Sequence, residues 1–205
     1  MPHPKVTLTY FDFPGSRGEE CRLALTIAGV PFTDERLKGP EWEPRRASAP
    51  FGALPVFTVE GHAPLGQSNA ILALIGREHG LMPKESWEAA RHHAVMDAVE
   101  DLRHEMGPSA DIEDPAEKKR VREEKAAGYL PEWASQIERQ INGPFLGGAH
   151  LSVADLKLFV VTGPYLRGKI DFVPPTVFDG APKLLALHKA VKELPAVVAW
   201  YAQKH

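Results

Sequence analysis

Hydrophobic positions in the first part of the chain have two different periods. Residues 5–10 (KVTLTY) alternate apolar and polar side chains, which predicts a β-strand. Residues 16–28 place apolar groups at helical spacing, with acidic side chains near the start and Gly29 directly after the end, as is typical of a helix. Residues 32–37 predict a second strand, and residues 39–49 predict a loop with a short helix. The order is therefore strand, helix, strand.

A second pattern follows in residues 50–71 (PFGALPVFTVEGHAPLGQSNAI). Residues 56–59 and 63–65 flank Glu60-Gly61-His62, a turn signal with glycine that predicts a β-hairpin. An apolar run at helical spacing then begins, with Ser68 placed as its N-cap. A βαβ unit followed by ββα predicts an α/β, thioredoxin-like domain with a mixed four-stranded sheet.

Strands disappear after a linker at residues 80–86. Apolar residues that recur at three- and four-residue steps predict an all-α domain, a helical bundle, over residues 87–205. The boundaries that we predict are thus 1–79 for the thioredoxin-like domain, 80–86 for the linker and 87–205 for the helical domain. The apolar positions that define its first two helices are Val95, Val99, Leu102 and Met106, then Leu130, Trp133, Ile137 and Ile141. Residues 152–155 predict a capping box, and Pro182 and Pro195 each predict the start of a short helix.

Composition excludes several classes of protein. The 205 residues are 43% hydrophobic and 25% charged, as in ordinary globular proteins, and the formal net charge of −3 gives no basis for nucleic-acid or anionic-membrane binding. No apolar run has membrane-spanning length, and no signal peptide is predicted. The single cysteine, Cys21, excludes an internal disulfide framework and fits a reducing compartment, so we expect a cytoplasmic protein.

The segment around Leu54-Pro55 combines two features that suit a short acidic peptide. Proline cannot donate to a β-ladder, so the backbone at Leu54 can face outward and pair with an extended ligand. One hairpin later, the helix that begins near Ser68 offers backbone N–H groups and the positive end of its dipole to a carboxylate.

At these residues the chain resembles the cytosolic glutathione transferases, most closely their tyrosine-type, sigma-like group. The resemblance rests on PFGALPVF (50–57) and LGQSNAI (65–71). It implies a cis Leu54-Pro55 bond, pairing of Leu54 with the cysteinyl backbone of glutathione, and binding of the γ-glutamyl carboxylate by Gln67 and Ser68. It also implies the transferase activity, in which the thiolate of glutathione attacks an electrophilic small molecule.

The resemblance implies catalytic roles for Tyr10, at the end of the first strand, and for Arg17. A phenol that donates to sulfur stabilises the thiolate, whereas a free thiol has a pKa near about 8.5. Here the loop is one residue longer than in the sigma-like pattern, with Pro14-Gly15 inserted. Ser16, which we interpret as the N-cap of the helix, therefore stays open as a rival hydroxyl. Cys21 is interpreted as a buried, inert thiol.

Three further glutathione contacts are implied by the resemblance. Trp42 and Arg46 correspond to a tryptophan and a basic residue at the glycyl end, and Asp101 of a neighbouring subunit corresponds to an acid that meets the γ-glutamyl ammonium. Asp97 and Glu105 are alternatives to Asp101, since the three acids fall at four-residue steps. Ala53 stands where the family commonly has lysine or glutamine, so one contact is absent.

We expect a hydrophobic second-substrate pocket between the domains, and its candidate residues are Phe11, Phe13, Pro14, Met106 and Ala110. We expect no cofactor other than glutathione as co-substrate, and no metal, although a divalent ion shared across a dimer is an alternative. A homodimer is expected, with Arg91 and Met96 on a candidate contact face. A glutathione-dependent isomerase or peroxidase and a catalytically silent binding protein are the alternative functions.

Overall fold

The computed structural model describes residues 4–203, which form two compact units. The first unit contains the chain up to Met82 and again from Pro195, and the second contains Pro83–Leu194. The first stretch of the first unit therefore ends at Met82, inside the linker predicted at residues 80–86. The last helix, however, belongs to the first unit and not to the second.

The first unit is built on a mixed four-stranded sheet, as predicted. Its strand order is β2-β1-β3-β4, with β1 and β2 parallel and the other pairs antiparallel. The strands are β1 (Val6–Phe11), β2 (Thr33–Leu37), β3 (Val56–Val59) and β4 (Leu65–Gly66). Alternate residues of β1 are buried, so the period-two pattern of the sequence corresponds to one face on the core.

Helices occur in both units. In chain order they are α1 (Ser16–Ile27), α2 (Gly39–Arg46), α3 (Ser68–Glu78), α4 (Ser86–Met106), α5 (Pro115–Ala127), α6 (Tyr129–Glu138), α7 (Val153–Leu166), α8 (Pro182–Lys192) and α9 (Pro195–Ala202). Single 3₁₀ turns lie at Pro50–Gly52 and Gly107–Ala110. None of the helices within residues 4–203 is both long enough and apolar enough to cross a membrane.

Two predicted N-caps are wrong by one residue. Helix α1 begins at Ser16 after Gly15, and α3 begins at Ser68 after Gln67. Ser16 and Gln67 have positive φ values of 56° and 68°. Such left-handed backbone is uncommon for residues other than glycine, and propensity alone does not predict it.

Helix α9 packs on α1 through a buried polar contact, so this last segment of the predicted range 87–205 lies in the first compact unit. The indole Nε1 of Trp200 donates to Oε1 of Glu19 at 2.8 Å, and the Trp200 ring stacks with Phe32 at 6.3 Å between centroids. The periodicity of α9 predicts a helix but contains no information about the unit against which its apolar face packs.

The second unit has α7 at its centre, with nearly every residue of this helix buried. The capping box predicted at residues 152–155 is confirmed at its start. Helix α5 was not predicted, because its sequence is highly charged and Arg122 is its single buried residue. A helix without an apolar face leaves no periodic pattern of hydrophobic residues in the sequence.

Candidate functional site

The Leu54-Pro55 bond is cis, as the resemblance implies. Pro55 is buried and Leu54 lies just before β3. Within residues 4–82 and 195–203, no group hydrogen-bonds the backbone N–H or C=O of Leu54. This segment therefore keeps one donor and one acceptor for an extended ligand.

The chain reaches this segment through a tight 3₁₀ turn. Phe51 and Gly52 both have left-handed backbone, with φ of 58° and 57°. A Cβ on Gly66 of β4 would lie 3.1 Å from Cβ of Pro50, so glycine permits the close approach of β4 to the turn. Arg46, at the end of α2, lies along Gly52, where an added Cβ would be 3.8 Å from its Cγ. The Arg46 side chain, which is 61% exposed and lies 3.9 Å from Glu43, is therefore beside the approach to Leu54.

The start of α3 follows directly after β4. Gln67 is exposed, has φ 68° and ψ 112°, and its side chain makes no capping hydrogen bond. Ser68 is 4% exposed and is the first residue of the helix. A helix start with a positive dipole end and no side-chain cap is a site for an anion. Left-handed backbone at a non-glycine residue commonly marks a functional segment.

Tyr10 lies near the C-terminal end of β1 and is 5% exposed. Its ring rests on the first turn of α1, because a Cβ on Gly18 would lie 2.1 Å from Cδ1 of Tyr10. The rings of Phe11 and Phe13 are 5.6 and 5.7 Å from the Tyr10 ring between centroids. The Tyr10 hydroxyl forms no hydrogen bond within the described residues of the first unit. The ring is thus held in place, and the hydroxyl hydrogen remains available for donation to a ligand.

The loop after Tyr10 is held from inside by Arg22, which sequence reasoning missed. Its guanidinium donates to the carbonyl oxygens of Phe11 at 3.2 Å and Phe13 at 3.1 Å. It also pairs with Asp34 at 2.8 Å and Glu19 at 3.3 Å. A basic residue in the middle of an apolar helical face was the available signal for a buried ionic contact.

The other predicted residues of the first unit lie nearby in the chain and the fold. Arg17 is half-buried in the first turn of α1, next to Gly18. Trp42 on α2 is half-buried with its ring 6.3 Å from that of Phe11. Cys21 is fully buried, in agreement with an inert thiol.

The predicted pocket residues divide between the two units. Phe11 and the loop residues Phe13 and Pro14 belong to the first, with Phe13 41% exposed. Met106 is buried at the end of α4, and Ala110 is exposed on the following 3₁₀ turn. These last two lie in the second unit.

The three acids considered on α4 differ in their surroundings. Asp97 and Asp101 are exposed, whereas Glu105 pairs with Lys125 of α5. The hydrogen bond and charge of Lys125 lower the pKa of Glu105. Glu105 therefore already has a cation partner within its own unit.

Charged and titratable groups in the interior of the second unit were not predicted. Lys157 is fully buried and donates to Glu100 at 2.5 Å, and Arg103 pairs with the same carboxylate at 2.7 Å. Burial raises the pKa of Tyr165 to about 12 and lowers the pKa of His188 to about 4. His188 is therefore neutral near pH 7.

Comparison with known proteins gives a consistent result over both units. The glutathione S-transferase N-terminal domain family matches residues 6–77, and the C-terminal domain family matches residues 100–204. A hematopoietic prostaglandin D synthase of Gallus gallus and a glutathione S-transferase 1 of Ascaris suum are each 31% identical, covering 98% of this chain and 97% of theirs. A solved structure of prostaglandin synthase D from Nilaparvata lugens has a TM-score of 0.86 at 27% identity and covers 98% of this chain and 99% of its own.

The family resemblance inferred from residues 50–57 and 65–71 is thereby confirmed. Two domain families in the expected order, and relatives that match almost the full length, show that this chain belongs to the glutathione S-transferase family.

Proposed function

We propose that this glutathione transferase binds the tripeptide along Leu54 and the start of α3, and that Tyr10 activates its thiol for attack on a hydrophobic electrophile. The observation that carries the proposal is the backbone of Leu54, which has no partner within the described residues of its unit, one short hairpin before a helix start without a side-chain cap. An extended peptide with an acidic end requires those two features together.

Leu54 pairs with the cysteinyl residue through its backbone N–H and C=O. The cis Pro55 leads into β3, which is an inner strand of the sheet, so the ligand pairs with the segment that precedes this strand. Gln67 and Ser68 bind the γ-glutamyl carboxylate with their side chains and with the N-terminal end of α3.

Tyr10 donates its phenolic hydrogen to the sulfur and so stabilises the thiolate. The thiol proton leaves to solvent. The sulfur then forms a C–S bond with an electrophilic carbon, whose leaving group departs with the electron pair of the broken bond. Arg17, in the first turn of α1, adds positive charge that assists the same anion.

Three more residues complete the proposed glutathione site. Arg46 has a guanidinium that is 61% exposed and meets the glycyl carboxylate, with Trp42 beside it on α2. Asp101 is exposed on α4, and we assign it to the γ-glutamyl ammonium of the neighbouring subunit's glutathione. This chemistry requires glutathione as co-substrate and no other cofactor.

An isomerase that uses the same thiolate is the second candidate. The prostaglandin D synthases among the relatives, one of them 31% identical over 98% of this chain, favour this alternative over a peroxidase. Turnover of a generic aryl halide supports conjugation. Rearrangement of an endoperoxide without net consumption of glutathione supports isomerisation.

Tyr10→Phe tests the mechanism, because it removes the hydroxyl and keeps the ring that packs on Gly18. We expect unchanged glutathione affinity, a rise in the pKa of bound thiol toward the free value, and turnover near pH 7 lower by about 10–1,000-fold. Thiolate absorbance in a pH titration measures the pKa. Ser16→Ala is the matched control for the rival hydroxyl, and loss of turnover there with a harmless Tyr10→Phe would contradict the assignment.

We also propose a homodimer, with cytoplasmic localisation. Met96 is fully buried within its unit, so the contact face considered from sequence does not include it. Phe51 is 79% exposed on left-handed backbone, and an aromatic ring of that size suits burial by a second copy. Light scattering should show a dimer, and Phe51→Ser should weaken it. Phe172→Ser is the control, because Phe172 is another exposed phenylalanine with left-handed backbone, and it should leave the dimer unchanged. A monomer at micromolar concentration would overturn the dimer proposal.

A further inference from the structure

Arg22 is fully buried, and its guanidinium donates both to carboxylates and to the backbone of the loop that follows Tyr10. The guanidinium has two carboxylate partners, Glu19 at 3.3 Å and Asp34 at 2.8 Å. A buried arginine is tolerated when its charge and its N–H groups have partners of this kind. The carboxylates balance the charge and leave further N–H groups for neutral acceptors.

Those neutral acceptors are backbone oxygens of the loop that follows Tyr10. Arg22 Nη2 donates to the carbonyl of Phe11 at 3.2 Å, and Nη1 donates to the carbonyl of Phe13 at 3.1 Å. The guanidinium carbon lies 5.8 Å from the centroid of the Tyr10 ring, within cation–π range. One side chain therefore contacts Tyr10 and both carbonyl groups that flank Asp12.

Gly18, one turn before Arg22 on α1, also limits the position of the Tyr10 ring. An added Cβ would lie 2.1 Å from Cδ1 and 2.3 Å from Cγ of the ring, closer than atoms can pack. The ring is therefore seated on the backbone of α1. Any side chain at residue 18 has to displace it.

The support of Arg22 extends to the end of the chain. Oε2 of Glu19 binds Arg22, while Oε1 accepts the indole N–H of Trp200 at 2.8 Å. Glu19 is 1% exposed, so both bonds are shielded from water. Trp200 of α9 thus orients the Glu19 carboxylate, which in turn binds Arg22.

We propose that Arg22 is a positioning residue that, with Gly18, sets the place of the Tyr10 hydroxyl in the glutathione site. The proposal rests on the proposed role of Tyr10 as donor to the thiol. Arg22 is fully buried and binds the loop backbone, so it acts through Tyr10 and not on glutathione itself.

Gly18→Ala is the first test, because it changes no charge and adds a residue of higher helix propensity. We expect the pKa of bound thiol to rise toward the free value and turnover near pH 7 to fall by about tenfold or more, since small misplacements of a donor have large effects on rate. Glutathione affinity should stay within about twofold, because Leu54 and α3 are untouched. Gly39→Ala, where an added Cβ meets nothing within 4 Å, is the control.

Arg22→Lys is the second test, because it keeps the charge and loses the fork of donors. We expect the same direction of change in thiol pKa, together with faster amide hydrogen exchange in residues 11–15. Arg45→Lys removes part of an exposed ion pair with Glu35 in the same unit and should change neither. An Arg22→Lys protein with unchanged exchange in this loop and unchanged thiol pKa would overturn the proposal.

The Tyr10→Phe background separates this inference from the proposed function. If the inference is right, adding Gly18→Ala to Tyr10→Phe leaves the thiol pKa where Tyr10→Phe alone puts it. If Tyr10→Phe raises the thiol pKa but Gly18→Ala and Arg22→Lys do not, the positioning role is wrong and the function stands. If Tyr10→Phe itself has no effect, the proposed function fails, and this role for Arg22 fails with it.

Discussion

Helices α7 and α3 begin in opposite ways. At the start of α7, Asp155 accepts from the N–H and the hydroxyl of Ser152, each at 2.7 Å, and from the N–H of Leu146 at 2.7 Å. Both Asp155 and Ser152 are buried. At the start of α3, Gln67 is exposed, left-handed and without a side-chain capping bond.

The two helix starts differ in whether a side chain of the protein itself caps them. The carboxylate at α7 is part of the chain, and burial raises its pKa even though three hydrogen bonds act in the opposite direction. At α3 the residue before the helix makes no side-chain capping bond, and the proposed ligand brings a carboxylate to this position. The start of α7 is satisfied within the chain, whereas a binding role for the start of α3 is our proposal.

Loss of the α7 carboxylate should have the largest effect. Asp155→Ala leaves the buried Ser152 and Leu146 donors without their acceptor, and each such group costs about 1–3 kcal/mol. We expect the free energy of unfolding to fall by about 3 kcal/mol or more, measured by urea denaturation. Asp179→Ala, at an exposed position of the same unit, should cost little. Equal losses in the two variants would contradict the structural role of Asp155.

Ser68→Ala should weaken glutathione binding much more than it slows the reaction of the bound complex. We expect glutathione affinity to fall by about 1.5–3 kcal/mol, the value of a charge-assisted hydrogen bond, with little change in turnover at saturation. Isothermal titration and steady-state kinetics measure the two quantities. Ser86→Ala, at the first residue of the capped helix α4, is the matched control. Turnover that saturating glutathione fails to restore would show that Ser68 has another role.

Gln67→Gly should separate stability from binding at one residue. Glycine adopts positive φ without strain, so we expect the protein to gain about 1 kcal/mol or less after the entropy of the unfolded chain is included. Glutathione affinity should nevertheless fall, because the side chain amide is lost. Thermal unfolding with and without glutathione tests both. A variant that is more stable and binds equally well would remove Gln67 from the site.

Glu85→Gln should have the smallest effect, because this cap of α4 is exposed. The backbone N–H groups of Trp87 and Glu88, each donating at 2.8 Å, lower the pKa of Glu85. A lowered pKa in the folded state stabilises the protein above the unfolded pKa, and that contribution disappears as pH falls through the folded pKa. We therefore expect a slightly lower Tm for the variant at pH 7 and no difference at about pH 2. A difference that persists in acid would not come from the charge.

Local patterns in the sequence predicted most of the first unit. The period of residues 5–10, the hairpin turn at Gly61 and the apolar run after Ser68 each correspond to an observed element. The motif 50–57 with 65–71 identified the family because it joins a backbone edge to a helix start. These signals are readable because each depends on residues that are close together in the chain.

Predictions failed where a distant partner determines the structure. Helix α5 has one buried residue, Arg122, whose neutral partner Ser109 lies 13 positions away. The left-handed backbone at Ser16 and Gln67 shifted both helix starts by one residue. A propensity scale describes the average environment of a residue and contains no information about either effect.

The sequence by itself determined the element order and the family of this protein, because these depend on spacing along the chain. Only the tertiary structure decided that α9 joins the first unit, that Gly18 seats the Tyr10 ring, and that Arg22 holds the carbonyls of Phe11 and Phe13. The bond from Trp200 to Glu19 spans 181 positions of the chain. Such contacts form when packing removes water from groups that have no relation in sequence, and burial then gives a charged network its strength.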